Sequence, residues 1–363
     1  MKVLVWQWGR RGGGPRFAAC LAQALSELPD TEAALALSAG AEILCAPDAP
    51  RCDLALPLYR SVPGLAWRAT QAPSFVPATA RWVRRLAPAL ALCAMPGPPD
   101  LLMLAALRRA RVPVAVVVHD AEAHPGDGYP LLFPLNRALV RRAEGVIALS
   151  EHVAALLRGQ GVLRPGVTLV RAGHPPFDFG VAKPPGRHGG PRRVLSFGRL
   201  LPYKGLDLLA EALRQLGSRP DMTVRVVGQG PEGPALAALR ALPGVTVENR
   251  WVPEADMGAL IGWADLVVLP YREASQSGIA AAALAAGRPV LATRVGGLAE
   301  QLGGEALARL CDPDPASIAA GLRHFLSSPP PPGTGPDAAG AWRDFARVVL
   351  DGLRPLLSPP ERG

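Results

Sequence analysis

The sequence predicts an α/β protein made of two doubly wound parallel-sheet domains in tandem. Three observations lead there. Short apolar runs alternate with stretches of helical period almost throughout the 363 residues. Those runs show little polar alternation, as expected of strands covered on both faces. The alternation also fails in the Pro- and Gly-rich stretch GHPPFDFGVAKPPGRHGGPR at residues 173–192, and then restarts. Two such domains place a cleft between their facing strand ends, where ligands bind in folds of this kind.

The elements follow in order. KVLVWQW reads as the first strand and GRRGGG as the turn into PRFAACLAQALSEL, an amphipathic helix with Pro15 near its start. LALPLY, VAVVVH and GVIALS read as later strands, and EHVAALLRGQ as a helix with Ser150 as its N-cap. Past the break, RVLSFG, TVRVVG, VTVENR, LVVLP and PVLAT are strands, each followed by a helical pattern. A second break, SPPPPGTGPD at 328–337, precedes a last helix, AAGAWRDFARVVLDGLRPLL. The expected division is 1–175, a linker over 176–192, a second domain over 193–335, and a terminal helix over 336–363 that can pack back on the first domain.

Composition narrows the function. With 49% apolar and 19% charged residues, a sizeable core is expected and wholesale disorder is not. Five cysteines without a CxxC pair suit reduced, mostly buried thiols and a cytoplasmic protein. No secretory signal is legible, and every apolar stretch is broken well short of the roughly 18 residues that span a bilayer. The net charge of +9 favours anionic partners. Nucleic acid is not indicated, since no recognition motif is present and aromatic residues are only 5%. Of the 39 basic residues only Lys2, Lys183 and Lys204 are lysines, which draws attention to each.

Five segments carry candidate chemistry. In GRRGGG, Gly13 and Gly14 let backbone amides approach an anion at a helix N-terminus, or simply make a tight turn; neither the dinucleotide nor the P-loop fingerprint is met. In SFGRLLPYKGLDLLAEAL, Arg199 and Lys204 follow a strand ending at Gly198, and two cations at a helix start suit a diphosphate. Solvated loop cations are the alternative. In VVVHDAEAH, His119 ends a buried-type strand and can hydrogen-bond a sugar hydroxyl, or be an ordinary satisfied polar residue; Glu122 and His124 make a weak metal candidate. CDPDPASIAAGL contains D-x-D, but Asp314 as N-cap with Pro315 following explains it without a metal. Residues 67–92 mix Trp67, Trp82, Arg68, Arg81, Arg84 and Arg85. On one helix Trp82, Leu86 and Leu90 share a face flanked by arginines, which suits either an anionic membrane surface or a helix docked on its own domain.

The blocks VLSFGRLLPYKGLDLLAEAL, RVVGQGPE and ADLVVLPYREASQSGIAAAALAAGRPVLATRVGGLAEQL resemble the C-terminal half of family 4 glycosyltransferases. GGGPRFAACLAQAL, VVVHD and RRAEGVIALSEHVAALL are similar to the family's N-domain landmarks. The resemblance implies the GT-B fold, two doubly wound Rossmann-like domains facing a central cleft. It implies a retaining transferase that moves a hexose from a UDP- or GDP-sugar to a glycan or lipid-linked acceptor, without metal or other cofactor, at the inner membrane face. Carried over by position, Arg199 and Lys204 contact the donor diphosphate, Gly13 and Gly14 face donor and acceptor, His119 lies near the transferred sugar, and Gly228 and Gly230 border the base. The family's pattern departs in one place. Its paired glutamates stand thirteen and five residues before the glycine of the GxP turn; counted from Gly287 these are Ala274 and Ala282, and Glu273 is one residue out of register. E-A-S-Q-S-G resembles a variant branch, in which Ser275, Gln276, Ser277 and Gly278 offer neutral donors at a helix start. A sugar-nucleotide-binding protein without catalysis and a nucleotide-sugar epimerase on the same fold are the competing expectations.

Overall fold

The computed structural model describes residues 1–46, 48–59, 62–97, 99–126, 132–181, 188–330, 333 and 335–357. Lys183, part of the 176–192 stretch and part of the 328–337 break lie outside them. The chain divides into two compact units: residues 1–122, 129–173 and 342–363, and residues 123–128 with 174–341.

The first unit runs β1 (Lys2–Gln7), α1 (Gly13–Ser26), β2 (Glu32–Ser38), β3 (Leu54–Leu56), α2 (Val62–Thr70), α3 (Ala72–Leu86), β4 (Leu90–Cys93), α4 (Asp100–Ala110), β5 (Val114–Val118), α5 (Leu132–Val140), β6 (Gly145–Ala148), α6 (Glu151–Gly159) and β7 (Thr168–Arg171). Its seven strands are ordered β3-β2-β1-β4-β5-β6-β7, and every pairing is parallel. Strand β1 carries Val3, Leu4, Val5 and Trp6 fully buried, as a central strand covered on both faces requires. Ser150 caps α6 by accepting from the Val153 amide at 3.2 Å.

Two features differ from the sequence expectation, the extent of one helix and the burial of the thiols. The helix through Trp82 does not reach Leu90: it stops at Leu86, Ala87 takes a left-handed conformation with φ 51°, and Leu90 opens β4. Pro88 is the reason, because the residue before a proline is pushed out of the helical region. Trp82 packs against the core beside Val83, and Arg81, Arg84 and Arg85 form the outer face; among the described residues the exposed aromatic is Trp67 on α2, at 66%. The thiols are less buried than expected, with Cys93 buried, Cys45 exposed and the other three between.

The second unit contains β8 (Arg192–Phe197), α7 (Leu206–Leu216), β9 (Met222–Gly228), α8 (Pro234–Arg240), β10 (Val245–Asn249), α9 (Glu254–Trp263), β11 (Leu266–Leu269), α10 (Gly278–Ala285), β12 (Val290–Thr293), α11 (Gly296–Leu302), β13 (Ala308–Cys311) and α12 (Pro315–Ser327). Its sheet, β10-β9-β8-β11-β12-β13, is again wholly parallel. Asp314 caps α12 by accepting from the Ser317 amide at 2.9 Å, with Pro315 in the first turn. The stretch expected to be a linker begins as packed structure: Phe177 is buried, and Phe179 and Val181 cover Ile261, Ala282 and Ala286. Composition hides this, because two phenylalanines among prolines and glycines show no period.

The last helix, α13 (Ala338–Gly352), places Trp342 and Phe345 edge-to-face on Phe17 of α1, with centroids 4.9 and 5.7 Å away. Gly145 in β6 makes room for the turn that follows, since a Cβ there would lie 2.6 Å from Leu353. Among the described residues no helix is long and apolar enough to cross a membrane.

Candidate functional site

In the second unit the strand order reverses direction between β8 and β11, and the loops after these strands flank that switch point, the usual ligand position in open parallel sheets. Glycines let the loops touch. A Cβ on Gly228, at φ 153°, would lie 1.6 Å from the Gly198 carbonyl oxygen, and one on Gly205 would lie 1.8 Å from that of Pro270. Gly230 is similarly pressed on Leu200, and its amide donates to the Asn249 side chain at 3.1 Å. The glycines expected beside a nucleotide base thus also have a steric task, holding β9 against the β8 turn.

Arg199 and Lys204 come together on two tyrosines. The Arg199 guanidinium donates to the Tyr203 hydroxyl at 2.8 Å, and the Lys204 ammonium stands 4.8 Å from the Tyr203 ring centre and 3.7 Å from that of Tyr271. An ammonium over ring faces is held there electrostatically. Tyr271 is 2% exposed; burial pushes its phenol up to about 12, against the pull of the nearby Ser277 and Arg199. Its hydroxyl makes no hydrogen bond of ordinary geometry among the described residues.

The E-A-S-Q-S-G turn leads into α10. Ser277 is the N-cap, accepting from the Ala280 amide at 3.2 Å. Gln301 of α11 grips the Ser277 backbone from both sides: its Oε1 accepts from the Ser277 amide at 2.8 Å and its Nε2 donates to the Ser277 carbonyl at 3.0 Å. The Ser277 amide is therefore spent, and the donors this helix start can offer an anion are the Gly278 and Ile279 amides, which have no intrahelical acceptor. Ser275 is buried, and the Gln276 Oε1 is buried without a partner among the described residues. His174 stands beside the same helix start, its ring 3.8 Å from the position of a Cβ on Gly278, while its Nδ1 bonds the Pro175 carbonyl at 2.7 Å. Nothing in the spacing of GHPPF marked this histidine.

Glu273 is not alone. Its Oε1 lies 2.8 Å from Nδ1 of His124, whose ring stacks on Tyr203 at 4.4 Å. Glu122, the neighbour once paired with His124 as a metal candidate, accepts instead from Gln160 at 3.0 Å. Among the described residues no three His, Cys, Asp or Glu side chains gather as metal ligands. Ala282, where the family pattern places its second acid, is 2% exposed and covered by Phe179 and Val181.

The first unit has glycines and polar groups at its own strand ends. Gly13 and Gly14 lie in the first turn of α1 rather than in the preceding loop. The buried Gln7 side chain fills the space a Cβ on Gly14 would need, its Nε2 2.8 Å away, and its Oε1 accepts from Gly9 at 2.9 Å. His119 is buried, its Nε2 2.9 Å from the Ala94 carbonyl, and burial lowers its pKa. Donation from Nε2 leaves Nδ1 as the acceptor nitrogen. Asp100, fully buried at the start of α4, accepts from the Trp6 indole at 3.0 Å and the Gly97 amide at 2.6 Å. Burial outweighs these donors and raises its pKa to about 7.

Two such units define a GT-B architecture, and solved structures of that kind match nearly the whole chain. The Anabaena protein HepE in complex with UDP and glucose superposes with a TM-score of 0.64 at 19% identity, over 98% of each chain. UDP-GlcNAc 2-epimerase from Neisseria meningitidis shares the fold at a TM-score of 0.60 and 12% identity, over 97% of this chain and 100% of its own.

The sequence comparisons are more specific. Residues 11–176 match the model described as Glycosyltransferase Family 4, and residues 191–328 the model described as Glycosyl transferases group 1. The chain thus carries two glycosyltransferase domains. It is 33% identical over 222 residues to the D-inositol 3-phosphate glycosyltransferase of Streptomyces coelicolor, covering 53% of this chain and 48% of that one. It is 34% identical over 114 residues to the GDP-mannose:glycolipid 4-beta-D-mannosyltransferase of Xanthomonas campestris, covering 28% and 30%. The chain spans about half the length, or less, of these curated relatives.

Proposed function

We propose that the protein is a retaining, metal-independent glycosyltransferase that moves a hexose from a UDP- or GDP-sugar to a glycan or lipid-linked acceptor. One observation carries this reading: Arg199 and Lys204, seated on Tyr203 and Tyr271, lie on the same switch point as the α10 start. Two cations beside a helix N-terminus are suited to a diphosphate, and to the charge that grows on it as the sugar departs.

The proposed chemistry is front-face displacement. The acceptor oxygen bonds the anomeric carbon on the face from which the diphosphate leaves, the carbon–phosphate oxygen bond breaks, and the acceptor's proton passes to the departing phosphate oxygen. No carboxylate nucleophile is needed, so the loss of the second acid at Ala282 costs a ribose contact rather than the reaction. Donor-dependent transfer or donor hydrolysis falls about 10²–10³-fold in Lys204→Ala, the range for removing one transition-state charge contact; unchanged turnover rules out this phosphate site.

The missing second acid also favours a rival, a binder of sugar nucleotides without turnover. Calorimetry separates the two, because binding with no transfer across a broad acceptor panel supports the rival. The epimerase alternative rests on fold likeness alone.

A cytoplasmic protein meeting the inner membrane face fits a lipid-linked acceptor. The contact falls to exposed Trp67 and the outer arginines of α3, since Trp82 is packed inward. Trp67→Ala with Arg85→Glu then releases the protein from anionic liposomes, and a wild type that never binds them refutes the contact.

A further inference from the structure

We infer that Gln301 is a positioning residue for the donor's diphosphate: it locks the peptide that opens α10, so that the Gly278 and Ile279 amides stand ready for a phosphate oxygen. The inference rests on the donor reading given above. Gln301 acts through Ser277 and not on the ligand itself.

Three observations carry it. The first is the double hold itself, Oε1 accepting from the Ser277 amide at 2.8 Å and Nε2 donating to the Ser277 carbonyl at 3.0 Å. The partners fix which way the side-chain amide faces, since a backbone N–H only donates and a carbonyl only accepts. Gln301 thus pairs with Ser277, extended at φ -137° and ψ 111°, much as a neighbouring strand would. The Ser277 carbonyl also accepts from the Ala281 amide at 3.2 Å, and its hydroxyl oxygen accepts from Ala280 at 3.2 Å. A trans peptide points its C=O and the next N–H in opposite directions. Fixing the Ser277 carbonyl therefore fixes where the Gly278 N–H points.

The second observation is that the hold is built into α11. One turn before Gln301, the Gly297 amide donates to the Ala274 carbonyl at 3.0 Å. Residues four apart share a helix face, so one face of α11 meets the 274–277 turn at both of its ends. The third is Gly278. A Cβ there would meet nothing nearer than the His174 ring at 3.8 Å, so packing does not require a glycine. What the missing side chain leaves is close approach to the backbone. Amides aimed in advance at a charged acceptor bond it without the cost of ordering them first.

Calorimetric titration of wild type and Gln301→Met with UDP, GDP, uridine and guanosine tests the assignment, the nucleosides being titrated by displacement of the diphosphate. Methionine keeps the length of the side chain and loses both hydrogen bonds. With the nucleotide that wild type binds, Gln301→Met raises the ratio of the diphosphate Kd to the nucleoside Kd about tenfold, the size of one hydrogen bond to a charged group. A purely structural loss lowers both apparent affinities by the same folded fraction and leaves the ratio unmoved. An unchanged ratio in a folded Gln301→Met overturns the assignment and leaves the donor reading standing. If Gln301→Met does not fold, an unchanged ratio in Gln301→Ala, a substitution that suits a helix, overturns it equally. Failure of wild type to bind either diphosphate overturns the donor reading, and the assignment with it.

Discussion

The two sheets share the strand order 3-2-1-4-5-6, counted from the first strand of each unit, yet they spend the polar groups at their strand ends differently. In the first unit these groups bond one another: Asp100 takes the Trp6 indole and the Gly97 amide, Gln7 fills the glycine turn, and His119 lies on the Ala94 carbonyl. In the second unit they are cations on aromatic rings and a helix start whose first amides have no intrahelical acceptor. Topology places the switch point in both, but only in the second unit do these described groups include cations beside a helix start.

The contrast can be broken most severely at Gly228. Alanine there meets the Gly198 carbonyl and a backbone angle unfavourable to side chains, so Gly228→Ala costs about 4 kcal/mol or more, the size reserved for major steric defects. Urea unfolding measures it. A cost within about 1 kcal/mol means the two loops do not touch as described.

The first unit's buried acid gives a pH test. The Asp100 pKa is about 7 in the folded protein against 3.8 ordinarily, so the folded state holds a proton that the unfolded state has lost between these values. Its stabilising contribution is complete below pH 4 and is lost as pH rises through 7, with a slope of at most about 1.4 kcal/mol per pH unit. Asp100→Asn cannot ionise. The stability difference, wild type minus variant, accordingly shrinks from pH 5 to pH 7.5; a difference that stays flat over this range puts the carboxylate, not the acid, in the fold.

Tyr271→Phe is the mildest change and sharpens the second unit's side. Removing a buried hydroxyl that has no good partner leaves stability unchanged or raises it by about 1 kcal/mol. A loss of 2 kcal/mol or more by thermal or urea unfolding would give that hydroxyl a partner after all.

Much of this was legible in the chain. Alternating strands and helices, the Ser150 and Asp314 caps and the Arg199–Lys204 loop are local signals, and the structure contains each. Strands β2 and β13, EAALALS and ARLC, lack β-branched residues, so period alone does not separate them from helix. The site's partners were hidden for a different reason. Gln301 on Ser277, His174 beside Gly278 and His124 on Glu273 join segments far apart in sequence, and no local pattern encodes such a meeting. Lys204 drew attention as one of three lysines; the two tyrosine rings that hold it appear only once β8 and β11 are neighbours.

The central claim is that the β8–β11 switch point holds a sugar nucleotide by its diphosphate. Calorimetric titration of wild type and Lys204→Ala with UDP- and GDP-sugars tests it most directly. The account predicts that wild type binds at least one of them and that Lys204→Ala weakens that binding tenfold or more, about 1.4 kcal/mol. Equal affinity in the two proteins would contradict it.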